Sequence, residues 1–181
     1  MAGLLEDHGL IGDLHTAALV CRDGTIDWLC LPRFDSGACF AALLGDERHG
    51  FWQIAPPGAR NADRRRYRGD TMILEHEWDD PDGTVRVVDF MPPSDSSHDV
   101  VRIVEGISGR VQVHSELRLR FDYGRSVPWV HRVDGQVGAA EGARSHHSMP
   151  FWPLRPASIG CLTFVISVTS SAASSNACGA S

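Results

Sequence analysis

Asp23-Gly24-Thr25-Ile26-Asp27-Trp28-Leu29-Cys30-Leu31-Pro32-Arg33-Phe34-Asp35-Ser36 is the stretch of this chain with the most chemistry-bearing side chains. It sets an indole among carboxylates and a guanidinium. Those types suit sugar contact, because a flat indole covers one face of a pyranose while Asp27, Arg33 and Asp35 hydrogen-bond its hydroxyls. A plainer reading fits the same residues. Trp28 would be core, and Arg33 and Asp35 would brace their own loop through a bidentate ion pair. Composition alone favours the plainer reading, and both are open at this point.

Glu75, His76 and Glu77 invite an acid–base or metal reading. On a strand, however, alternation sends Glu75 and Glu77 to one face and His76 to the other, so the three cannot act together. They are expected at the surface. No carboxylate pair stands in a recognisable inverting-glycosidase context, which needs two carboxyls about 6.5–9.5 Å apart. Arg64-Arg65-Arg66-Tyr67-Arg68 is a basic cluster diluted by Asp63 and Asp70, so a solvated loop is expected there rather than a nucleic-acid patch. His146-His147 lacks spaced partners for a metal. Arg68-Gly69-Asp70 spells an adhesion tripeptide, read as coincidence. Phosphate loops, dinucleotide glycines, nucleophile elbows and zinc helices have no match. Cys21, Cys30, Cys39, Cys161 and Cys178 are odd in number and match no compact metal-knuckle spacing, so buried thiols are expected. Neither metal nor cofactor is expected.

The elements that position these residues read as strands and turns as far as about residue 141. Thr16–Arg22 and Thr25–Leu31 flank Asp23-Gly24, a strong hairpin signal because Asp-Gly tolerates positive φ. Thr71–Trp78 and Thr84–Met91 repeat the pattern around Asp79-Asp80-Pro81-Asp82-Gly83. In Arg110–Phe121 the apolar Val111, Val113, Leu117, Leu119 and Phe121 alternate with polar residues, which predicts one buried face. Val127–Val133 followed by Asp134-Gly135 predicts a further hairpin. Ser36–Leu44 is the one helix expected, with Ser36 as N-cap and Gly45 as C-cap. Many short strands joined by hairpin turns predict an all-β fold, an antiparallel β-sandwich.

The bulk properties fit one soluble domain. The chain has 181 residues and a net charge of -6, which argues against a nucleic-acid partner. All 17 basic residues are Arg, read as coding bias. The opening residues mix acids with apolar side chains unlike a signal peptide, and Cys161–Val168 is shorter than the ~20 residues of a membrane span. A cytoplasmic protein without a membrane partner is the expectation. Beyond Glu141 no Asp or Glu occurs, whereas the preceding residues hold all 23. The Ser/Ala-rich end predicts a disordered tail. Residues 1–138 are therefore taken as the sandwich domain and 139–181 as an aberrant tail.

The run from Leu5 to Pro57, LEDHGLIGDLHTAALVCRDGTIDWLCLPRFDSGACFAALLGDERHGFWQIAPP, resembles the opening of trehalase-like members of glycoside hydrolase family 15. RRYRGDTMILEHEW, GTVRVVDFMP and LRLRFDYGRSVPWV follow in matching order. The resemblance covers approximately residues 4–135. It implies a β-sandwich that precedes an (α/α)6 catalytic barrel, the barrel holding the two glutamates that hydrolyse an α-glucoside with inversion. By this likeness the chain is a non-catalytic module, expected to be inactive alone, whose partners are that barrel and an α-glucoside sugar. Asp27, Trp28, Arg33 and Asp35 are the candidate contacts. After Asp134-Gly135 the likeness stops, which predicts a shifted reading frame near residues 135–142 and a sandwich lacking its last strands. An independent carbohydrate-binding module and a standalone interaction protein are the alternatives.

Overall fold

The computed structural model describes residues 3–58, 61–95, 97–133, 136–140, 151–154 and 161–169. Its strands are β1 (His8–Gly12), β2 (Ala17–Cys21), β3 (Thr25–Cys30), β4 (Ala38–Phe40), β5 (Phe51–Ala55), β6 (Arg64–Tyr67) and β7 (Leu74–Asp80). They continue as β8 (Gly83–Phe90), β9 (Ser97–Gly109), β10 (His114–Arg118), β11 (Trp129–Val133), β12 (Gln136–Ala140), β13 (Phe151–Leu154) and β14 (Cys161–Thr169). One sheet runs β1-β2-β3-β5-β10 with β4 on β3, and the other runs β11-β12-β13-β14-β9-β8-β7-β6. Every pairing among the described strands is antiparallel.

The two sheets form a sandwich because their inward faces supply one core. Ile11, Val20, Ile26, Leu29, Phe40, Trp52 and Ile54 come from the first sheet, and Leu74, Trp78, Val85, Val87, Val100 and Val104 from the second. Val111, Val113, Leu117 and Leu119 pack on this core as their alternation predicts, although the regular strand is only His114–Arg118. The β2–β3 hairpin turns at Asp23-Gly24, where Gly24 takes φ 80° and an added Cβ would collide with the Ile54 carbonyl. β7 and β8 form the second predicted hairpin. β11 and β12 pair as the third, with residues 134 and 135 between them outside the described set.

Among the described residues Arg102 is the one Arg in the set of fully buried large side chains, and it ties the sheets together from β9. It donates from Nε and Nη2 to Asp89 at 2.8 and 3.2 Å, and its Nη atoms reach the Trp52 and Gly24 carbonyls at 2.7 Å each. Its guanidinium carbon lies 5.1 Å from the Trp52 ring centroid. A buried cation is tolerable only with such full satisfaction. Along the sandwich edge Tyr67 does comparable work. The Leu10 amide donates to its hydroxyl at 2.8 Å, and the hydroxyl donates to the Leu10 carbonyl at 3.0 Å. Edge strands β1 and β6 of opposite sheets are thereby joined.

Three expectations need correction. Ser36–Leu44 is not a helix: it holds strand β4 and a single 3-10 turn, Ala42–Leu44, because Leu29 and Cys30 of β3 recruit Phe40 and Ala38 as ladder partners. Arg64–Tyr67 is an edge strand rather than a loop, since each of Arg64, Arg66 and Arg68 finds an acid across β7. Glu75, His76 and Glu77 are not surface residues, with exposures of 4%, 0% and 6%. Alternation was the right geometry, but Arg64, Arg66, Arg68 and Arg86 cover and pair the two glutamates. Within the region expected as a tail, Phe151–Leu154 and Cys161–Thr169 are strands. Residues 141–150, 155–160 and 170–181, His146 and His147 among them, lie outside the described residues.

Candidate functional site at the loop end of the sandwich

Two loops define the site, the β1–β2 connection and the β3–β4 connection. Asp13 organises the first. Its Oδ1 accepts the amides of His15 and Thr16 at 2.9 and 2.8 Å, a local turn that a short carboxylate makes readily. Its Oδ2 accepts from His98 Nδ1 at 2.7 Å, anchoring the turn to β9. Burial alone would push the Asp13 carboxyl up, yet His98 and the two amides outweigh it and hold it below the usual range. Thr16 donates through Oγ1 to the Cys30 carbonyl at 2.6 Å, and the Phe34 amide donates to the His15 carbonyl at 3.3 Å. These contacts fix the second loop against the first.

Arg33 and Asp35 lie together on that second loop. Arg33 donates from Nε to Asp35 Oδ1 at 2.9 Å and from Nη2 to Oδ2 at 3.3 Å. The side chains are 70% and 72% exposed, so their mutual attraction contributes little to folding. With Leu14, His15 and Phe34 they line an open cleft of about 520 Å³. Leu14 also borders an apolar cleft of about 440 Å³ with Met72, Ile73, Phe90, Met91 and Pro92.

The other two sequence candidates sit elsewhere. Asp27 is buried, and its two oxygens stand 3.0 and 2.9 Å from His8 Nε2. His8 Nδ1 donates to the Leu4 carbonyl at 2.8 Å. Burial pushes the Asp27 carboxyl up, against the pull of His8. Asp27 lines a separate cleft of about 320 Å³ with Asp23, Thr25, Gln53 and Glu116. Trp28 is half-buried beside Cys30, Ala38 and Ala41, its ring 6.0 Å from that of Tyr123. The structure thus brings Arg33 and Asp35 together and leaves Asp27 and Trp28 apart from them. It adds Asp13, Leu14 and His98, which sequence reasoning missed. The Asp13-Leu14-His15-Thr16 order carried a turn signal, but nothing local announced His98, 85 positions along the chain.

Among the described residues no group of three or more His, Cys, Asp or Glu is arranged to hold a metal ion. No described helix is long and apolar enough to cross a membrane.

Fold and site together define an antiparallel β-sandwich domain with an exposed loop end. The chain belongs to the family described as trehalase-like, N-terminal, which matches residues 1–142. It is 32% identical over 134 residues to a trehalase of Thermoplasma volcanium, covering 71% of this chain and 22% of that protein. Similarity to a trehalase of Mycolicibacterium smegmatis is 30% over 145 residues, covering 69% and 22%. A trehalase of Thermoplasma acidophilum is 33% identical over 121 residues, covering 64% and 21%. The chain therefore spans about a fifth of the length of these relatives. No solved structure matches it.

Proposed function

We propose that this chain is the non-catalytic N-terminal module of an inverting α-glucoside hydrolase, and that its Arg33–Asp35 loop contacts the catalytic (α/α)6 portion or the sugar held there. The observation that carries the proposal is the exposed, preformed Arg33–Asp35 pair on a loop locked by Asp13 and Thr16. A rigid bidentate pair that adds little to folding is well suited to meet hydroxyls or a second protein surface.

The buried carboxylates support a non-catalytic role. Asp13 is tied to His98, Asp27 to His8, Glu75 to Arg68, Glu77 to Arg64 and Asp89 to Arg102. An inverting pair needs one free acid and one free base across a sugar, and these five are already engaged by histidine or arginine side chains. An aromatic sugar platform is also poorly supplied. Trp52 and Trp78 are fully buried, and Trp129, at 79%, is the indole that is widely exposed among the described side chains.

The test is glucose release from trehalose, maltose and isomaltose by the purified chain, with a full-length relative as positive control. No release is expected, and turnover that survives repurification would overturn the reading. For the loop, residues 1–142 of this chain are spliced in place of the matched region of the Thermoplasma volcanium trehalase. Arg33→Ala and Asp35→Ala in that splice are expected to lower kcat/KM roughly tenfold, as loss of a positioning contact does.

A further inference from the structure

Leu14 is the most poorly explained residue of the described surface. It lies in the β1–β2 turn at φ 78° and is 86% exposed. A left-handed turn position favours Gly or Asn, and a branched apolar side chain there is strained. Water contact adds nothing to compensate. The neighbouring residues share the character: Phe34 is 65% exposed and Met72 40%. Leu14 joins them into one surface, since it borders both the Phe34 cleft and the Met72–Pro92 cleft. Asp13, His98 and Thr16 hold the turn in place, so Leu14 is presented by a rigid frame.

We infer that Leu14, Phe34, Met72, Phe90, Pro92 and Pro93 form the face that docks onto the following four-fifths of a trehalase-type chain. This rests on the module reading above and names the surface it uses. Two observations select a tethered occupant. The relatives continue for about four-fifths of their length beyond a region equivalent to this chain. The face itself offers only a handful of apolar side chains. Free partners need roughly 1,600 Å² of total buried surface for a specific stable interface. A segment tethered in the same chain meets its site at an effective concentration in the millimolar range, so a small face suffices. A second copy of this chain has no such advantage.

The splice described above is compared with the free 181-residue chain by hydrogen exchange. Tethering is expected to slow exchange at residues 12–16, 31–36 and 71–73. Leu14→Asn and Phe34→Ser are expected to abolish that slowing. Leu44→Asn, at a leucine 71% exposed that borders neither cleft, should leave it intact. In the free chain Leu14→Asn should melt at or above the parent temperature, because Asn accepts the left-handed well and removes exposed apolar surface. A lower melting temperature would show that Leu14 serves the fold itself and would overturn the inference without recourse to the splice. Slowing confined to another face, with Leu14→Asn silent, would overturn this face and leave the module reading standing. A soluble splice with no slowing anywhere on the sandwich and no turnover of trehalose would overturn both. A dimer of the free chain in sedimentation, lost on Leu14→Asn, would assign the face to a second copy instead.

Discussion

His76 stands on β7 with both ring nitrogens buried and no hydrogen-bond partner among the described residues. Its ring stacks on Trp78 with centroids 5.9 Å apart, and Nδ1 is 3.6 Å from Asp89, too long for a hydrogen bond. Burial drives its pKa down from 6.5 to about 4, against the attraction of Asp89. Below pH 6.5 the unfolded chain takes up a proton that the folded chain refuses, so stability falls as pH drops from 6.5 toward 4. The depression corresponds to about 3 kcal/mol. Urea unfolding at pH 7, 6 and 5 should show the loss, and His76→Leu should flatten it. An unchanged slope in His76→Leu would contradict the assignment. Glu75 and Glu77 are held below their usual range, Glu77 first by Arg64, Glu75 by Arg68, Arg86 and Arg66 against its burial. Their contribution disappears at more acid pH than the start of the His76 window. None of this was legible in Glu75-His76-Glu77 as a sequence. Alternation separated the faces correctly, but which face is covered depends on arginines from β6 and β8.

β9 shows why strands so regular in the fold escaped reading. Its inward positions are His98, Val100, Arg102 and Val104, while Val101 and Ile103 lie on the other face. Two polar residues in the core phase and two apolar ones outside it erase a period-two signal. The hairpins were legible because Asp23-Gly24 and Asp82-Gly83 act locally through backbone conformation. Arg102 was not, since its partners Asp89, Trp52 and Gly24 come from β8, β5 and the β2–β3 turn. Removing it as Arg102→Ala takes from Asp89 the guanidinium that pairs it in the core, which should cost about 3–5 kcal/mol in denaturant unfolding. The double variant Arg102→Met with Asp89→Leu should lose less than the single one, because it buries no orphan charge. A double variant less stable than Arg102→Ala would show that the carbonyl contacts to Trp52 and Gly24, rather than the ion pair, join the sheets.

At the scale of the whole molecule, the second sheet takes in two strands beyond Ala140, β13 and β14. β14 pairs with β9 through nine consecutive positions, from Cys161 opposite Glu105 to Thr169 opposite Ser97. β9 is therefore an interior strand flanked by β8 and β14. Cys161–Val168 is mostly apolar, interrupted by Thr163 and Ser167, which suits an interior strand. A chain ending after Ala140 would lack β13 and β14 and leave the outer rim of β9 without a ladder partner. Open edges of that length template association between chains. The shortened chain should lose several kcal/mol, seen as a melting temperature lower by roughly 10 °C or more at ~2–4 °C per kcal/mol. Light scattering should rise with concentration, and the amides of residues 97–105 should exchange faster than in the full chain. Equal melting temperatures and equal exchange would instead mean that β9 is stable as an edge strand and that residues beyond Ala140 contribute nothing to the sandwich.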